Sequence, residues 1–175
     1  MARKQALREL QIHLAERLRS ARSQPPVRAW LAVECRGQGL LLPLTEAGEI
    51  FAPPPLCRVP HTQPWFAGVA NLRGGLHGVV DLAAFLGFET EPLTAAARDQ
   101  ARLIALAPRL GVNSALLVDR LAGLRSAGQL LPDAAPERVR PAFAGARWHD
   151  GDGRGWQELL LGALAADERF LAVAA

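Results

Sequence analysis

Apolar and polar positions alternate along this chain with two different periods. Over residues 3–22, Leu7, Leu10, Leu14, Leu18 and Ala21 recur every three or four positions, which predicts a helix with one apolar stripe. Ser23-Gln24-Pro25-Pro26 ends it, because proline cannot continue a helix and disfavours helix in the residue before it. From Val27 the period is two. Ala29, Leu31, Val33 and Cys35 alternate with Arg28, Trp30, Ala32 and Glu34, as on a strand buried on one face. Gly37-Gln38-Gly39 predicts a hairpin turn. Leu40 to Leu44 predicts a short apolar strand, with Pro43 at an edge or end. Glu46 to Phe51 fits a short helix or a strand, and Ala52 to Pro55 a rigid connector. A turn with a short helical piece is expected over Pro60 to Phe66.

Residues 68–82 carry the strongest local signal. Val69 and Leu72 lie on one apolar run, and Leu76, Val79, Val80 and Leu82 on the next. Between them Gly74-Gly75 supply the positive φ of a tight hairpin turn. Arg73 stands at the corner, where a rigid scaffold presents a side chain for recognition. Beyond it, Leu82 to Gly87 predicts a short helix, Thr90 to Gln100 a surface connection, and Arg102 to Ala107 and Ala115 to Leu121 two strands. Pro132 and Pro136 flank an irregular stretch. Phe143 to Trp148 and Trp156 to Leu161 predict a last pair of strands joined by the glycine-rich loop Asp150 to Gly155. Gly162 to Val173 predicts a helix. Many short strands with glycine or proline turns point to small β-barrels and away from a parallel sheet, which needs a crossover between successive strands.

The 175 residues suffice for one domain or two small subdomains. Half of them are apolar, and no apolar run approaches the length of a membrane span. Charges interrupt the first ten residues, which therefore lack the apolar core of a secretory signal, and a cytosolic location is expected. Arg3, Lys4, Arg8, Arg17, Arg19, Arg22 and Arg28 outweigh Glu9 and Glu16, so the excess positive charge of the chain sits in its first 28 residues. Phosphate binding needs a clustered cationic face and single-strand binding needs aromatic platforms. The remainder is slightly acidic and contains no tyrosine, which argues against nucleic acid as partner.

Catalytic and metal chemistry finds little support. Cys35 and Cys57 form no CxxC pair, and two isolated cysteines read as thiols in a reducing compartment. Cys57 and His61 lack a third group to orient a base. Asp150 and Asp152 lack the further oxygen ligands of a calcium loop. His77 reads as a strand histidine, and Arg73-Gly74-Gly75 has no phosphate-loop surroundings. No catalytic residue, metal site or cofactor is expected.

Asn71-Leu72-Arg73-Gly74, followed by an apolar strand ending in Asp81-Leu82, resembles the signature hairpin of the CheW family. Leu40 to Leu44 followed by Glu49-Ile50, the approach Pro64 to Gly74, Ala115 to Asp119 and Phe143-Ala144-Gly145 resemble further family elements in the same order. The resemblance covers residues 28–165. His77-Gly78 stands where the family often has an aliphatic-proline pair, Ala83 where it often has arginine, and Gly162 follows Leu161 where it often has aspartate.

The resemblance implies a mainly β fold: two SH3-like five-stranded β-barrel subdomains sharing a core. Residues 1–26 would be an N-terminal helix and proline-rich linker, and 27–175 the CheW-like domain. It implies a non-catalytic adaptor with two partners, the regulatory domain of a CheA-type histidine kinase and the cytoplasmic tip of a methyl-accepting receptor. Its place would be the inner face of the membrane, through receptor arrays and without membrane insertion. Matched residue by residue, the partner-binding surface comprises Ala47, Glu49, Gly68, Asn71, Leu72 and Arg73. The N-terminal helix, Trp65 to Asn71 and the ending Phe170 to Val173 are most similar to the branch serving type IV pili and twitching motility. The alternatives are an adaptor for flagellar chemotaxis or, from another class, a basic nucleic-acid-binding β-barrel. In physical terms Arg73 is expected either to pair with Glu49 and face a partner or to close its own loop. Asn71 is expected to bond the turn backbone or a partner.

Overall fold

The computed structural model describes residues 28–88, 95–133 and 140–175. The helix read over 3–22, the boundary at residue 26 and the Pro136 end of the irregular stretch lie outside the described residues. Within them the fold is built on eleven strands in two sheets.

Strands β1 (Ala29–Cys35), β2 (Gln38–Pro43), β8 (Arg120–Ser126), β9 (Leu131–Pro132), β10 (Ala144–His149) and β11 (Gly155–Leu159) form a six-stranded sheet in the order β8-β1-β2-β11-β10-β9. Strands β3 (Ala47–Phe51), β4 (Phe66–Leu72), β5 (Gly75–Asp81), β6 (Arg102–Leu106) and β7 (Ser114–Val118) form a five-stranded sheet in the order β3-β6-β7-β5-β4. Of the short helices, α1 (Leu82–Phe85) follows β5, α2 (Ala95–Gln100) precedes β6, and α3 (Leu161–Ala165) and α4 (Glu168–Leu171) follow β11. The first sheet has one strand more than five, the two-residue β9. Pairing is antiparallel except between β2 and β11 and between β5 and β7. Neither sheet is a parallel sheet, and long connections carrying other strands supply the crossovers of the two parallel pairs.

Three apolar cores explain the continuous apolar runs. A large core between the sheets takes Leu31, Val33 and Cys35 of β1, Val80 of β5, Ile104 of β6 and Leu116 of β7. The alternate residues face each sheet's own smaller core, Trp30, Ala32 and Leu41 in the first and Val79, Leu103 and Ala115 in the second. Strands buried on both faces lose the simple alternation of a half-exposed strand. The reading of β1 as buried on one face is corrected accordingly: Trp30 and Ala32 are as buried as their neighbours.

The glutamates of β1 and β11 are buried too, and each finds partners. Glu34 is 7% exposed and accepts hydrogen bonds from Arg120 and Arg154. Glu158 is 2% exposed and accepts from the Trp30 indole at 2.8 Å and from Arg28 at 3.3 Å.

Several elements differ from the sequence reading. The turn read at Gly37-Gln38-Gly39 is Arg36-Gly37, since Cys35 pairs with Gln38. Pro60 to Phe66 holds a turn but no helical piece. The run Ala115 to Leu121 is two strands in different sheets, separated at Asp119, and β8 continues well beyond it. Asp119 makes this transition by accepting from Arg36, through its backbone N–H at 2.6 Å and its guanidinium at 2.9 Å. The helix expected over Gly162 to Val173 breaks in two, because the Asp167 carboxylate caps α4 by accepting from the N–H groups of Arg169 and Phe170. Glu46 to Phe51, open between helix and strand, yields strand β3.

Candidate functional site: the Arg73 hairpin and its surroundings

The hairpin of β4 and β5 places the site. Leu72 pairs with Gly75, which leaves Arg73 and Gly74 as a two-residue turn. Both have positive φ, 48° and 86°, the conformation whose twist matches the flanking strands. The left-handed pair is therefore Arg73-Gly74, not Gly74-Gly75 as the glycines alone suggested. The Asn71 side chain accepts the Gly74 N–H at 2.8 Å and fixes the turn from within.

Arg73 reaches out of this turn to Glu49 on β3, Nη2 to Oε1 at 2.6 Å. Strands β3 and β4 are the two outer strands of the five-stranded sheet. The ion pair thus ties one edge of the sheet to the other. Its side chains stay in solvent, 77% exposed for Arg73 and 42% for Glu49.

The six residues matched to a partner surface divide into two groups. Glu49, Asn71 and Arg73 are exposed. Ala47 is half-buried against the large core and pairs with Leu106. Leu72 is buried in the core of the second sheet. Gly68 is buried at φ +133°, where an added Cβ would lie 2.4 Å from the Cys57 carbonyl oxygen. That missing side chain lets the segment at Cys57 pair with Val69, by N–H···O bonds of 2.9 and 2.8 Å, and cover part of the β4 edge.

Two apolar side chains join the exposed group. Leu76, read from sequence as a strand apolar position, is 65% exposed opposite Asn71, and Ile50 beside Glu49 is 39% exposed. Their sequence gave no sign of this, because strand periodicity does not tell which positions lie past the end of the core.

Other candidates resolve into structural roles. His77 contacts the Gly75 carbonyl at 3.0 Å. Cys57 is an exposed thiol whose Sγ lies 3.9 Å from the Arg58 carbonyl oxygen. Asp150 closes the β10–β11 turn by accepting from the N–H groups of Asp152 and Arg154 and from the Trp156 indole at 3.0 Å. The indole hydrogen bond is the main reason its carboxyl lies below the usual range. Cys35 is buried, and desolvation pushes its thiol well above the usual value. Among the described residues, no group of three or more His, Cys, Asp or Glu side chains is placed to hold a metal ion. No described helix is long and apolar enough to cross a membrane.

Comparison with known proteins agrees with this fold. The family model described as a CheW-like domain matches residues 29–169. Protein PilI of Pseudomonas aeruginosa is 35% identical over 104 residues, which is 58% of this chain and 56% of that protein. The match therefore spans little more than half the length of that curated relative. The crystal structure of scaffolding protein TtCheW from Thermoanaerobacter tengcongensis aligns with a TM-score of 0.63 at 18% identity, over 76% of this chain and 88% of that one. At that identity the likeness is one of fold.

Proposed function

Since the chain belongs to the CheW-like domain family, we propose that it is a non-catalytic adaptor coupling the cytoplasmic tip of a methyl-accepting receptor to a CheA-type histidine kinase. Its system would be one that controls type IV pili and twitching motility. Identity to PilI supports the pilus branch, and the adaptor works in the cytoplasm beneath a receptor array.

The observation that carries this reading is the exposed Arg73–Glu49 pair. An exposed pair contributes only about 0–1 kcal/mol to stability, which is little reason to hold a non-glycine residue in left-handed backbone. A guanidinium oriented by one carboxylate, with donors to spare, is well suited to a second acceptor on a partner. Ile50 and Leu76 add apolar area, and interfaces commonly combine such apolar contacts with arginine.

A pull-down tests the reading. The protein should retain both a receptor tip fragment and the regulatory domain of a CheA-type kinase. Retention of neither would end the adaptor interpretation. A receptor from a pilus system should be retained better than one from a flagellar system.

A further inference from the structure

A second surface lies at the end of α1, the helix that follows β5. A groove of about 610 Å³ opens between strands β2, β11 and β10 of the first sheet and the segment from Phe85 to Phe88 at the end of α1. Leu40, Phe85, Phe143 and Leu159, all members of the large core, form its floor, and Phe88 flanks it. Arg140, Arg147 and Arg169 stand on its rim. No carboxylate is among the described lining residues. None of the three arginines forms an ion pair with another described residue. The Arg169 guanidinium lies 5.5 Å from the centre of the Phe85 ring, so cation and aromatic floor already meet at one point.

We propose that this groove receives an acidic amphipathic segment of a partner protein. An apolar side chain would sit on the Phe85–Phe143 floor and carboxylates would meet the three guanidiniums. Three like charges around an apolar depression repel one another, and carboxylates relieve that repulsion. Guanidinium also binds carboxylate through two parallel donors, which sets direction as well as charge. A rim of three separate cations suits a segment that repeats carboxylates along a helix face better than a single anionic headgroup.

The position matters for an adaptor, and this step rests on the function proposed above. β5 has seven residues, about 20 Å of rise. The Arg73 turn precedes it and Phe85 follows it. Two partners can then be held at once, one at the turn before β5 and one at the groove beyond α1.

Two synthetic helical peptides with the same apolar stripe serve as probes, one flanked by glutamates and one by lysines. Fluorescence anisotropy should show binding of the glutamate peptide only, weakening at least tenfold in the Arg140→Gln/Arg147→Gln/Arg169→Gln variant and unchanged in Arg73→Ala. All three arginines are at least partly exposed, and a thermal melt would check that the variant folds. Equal binding of both peptides, or full binding by the triple variant, would overturn the proposal. So would capture of dodecanoate without either peptide, which assigns the groove to a small anionic amphiphile. A tenfold gain in the Glu89→Gln/Glu91→Gln/Glu137→Gln variant would assign it to acids of this chain and overturn it as well. With the receptor and kinase fragments, the triple variant and Arg73→Ala should each lose a different one. If the native protein retains neither fragment, the adaptor reading fails while the peptide assay still decides the groove.

Discussion

Arg73 and Glu49 meet at 2.6 Å from opposite edges of the five-stranded sheet. Arg73 also sits in left-handed backbone at φ 48°, a conformation that costs a residue with a Cβ about 1–2 kcal/mol relative to glycine. Two substitutions separate the turn from the guanidinium. Arg73→Gly should leave the thermal midpoint unchanged or slightly raised, because relief of the backbone offsets loss of an exposed pair worth about 0–1 kcal/mol. Arg73→Ala should lower it slightly. Both should weaken partner binding equally in a titration. Binding that follows the midpoint, preserved in the glycine variant, would mean that the turn matters and the guanidinium does not.

The buried glycine behind the hairpin has a different task. Gly68→Ala places a Cβ 2.4 Å from the Cys57 carbonyl oxygen at φ +133°, and the Cys57 segment must move. A cost of about 2–4 kcal/mol is expected from strain and overpacking together. Gly74→Ala meets open space at φ +86° and should cost about 1 kcal/mol. Urea midpoints measure the difference. Similar values for both would show that the contact at Cys57 yields easily.

How much of this was legible in the sequence depends on how local each feature is. The hairpin was readable because its turn residues and both its strands lie within Phe66 to Asp81. The partnership of Arg73 with Glu49 was anticipated as well. What the sequence concealed are effects of distant residues. Glu34 and Trp30 look like the solvent side of a half-buried strand. They are buried because Arg120 and Glu158 arrive from other strands and Arg154 from the β10–β11 turn. Leu72 and Gly68 fall within the matched motif, but only the fold shows that they support the surface and Leu76 lies on it. The arginine-rimmed groove draws on residues 38–40, 85–88 and 140–169, which share no local pattern.

Arg36 and Asp119 predict a shared stability of the two sheets. Arg36 follows β1 of the first sheet, and its guanidinium reaches Asp119 between β7 and β8 and, at 3.9 Å, Asp81 at the end of β5. Asp81 in turn caps α1 by accepting the Ala84 N–H. Asp119→Ala removes the acceptor for both the Arg36 backbone N–H and its guanidinium. The expected loss is about 2–3 kcal/mol, typical of hydrogen bonds to a charged group. Asp119→Asn, which keeps one acceptor oxygen, should lose less. Chemical denaturation followed by tryptophan fluorescence checks the order, and a smaller loss for alanine than for asparagine would contradict it.

Glu34 sets an acid limit to stability. Burial works against its ionisation, but hydrogen bonds from Arg154 and Arg120 outweigh burial and hold its pKa below the ordinary value. In the unfolded chain a glutamate takes up its proton at about pH 4.3, whereas the folded protein resists protonation to lower pH. Unfolding in that window therefore binds a proton, and acid favours the unfolded chain. The contribution of Glu34 is complete above its unfolded pKa and fades as pH falls through its lower folded one. Glu34→Gln keeps the shape of the side chain and removes the charge. At pH 7 it should cost about 1–3 kcal/mol, less than a fully buried pair because Arg120 and Arg154 are partly exposed. Melts of both proteins from pH 7 to pH 3 should show the gap narrowing with acid. Asp150 is depressed in the same direction, and because it is common to both proteins the difference isolates Glu34. A gap that stays constant across the range would mean that packing of the side chain, and not its ionised carboxylate, holds the three elements together.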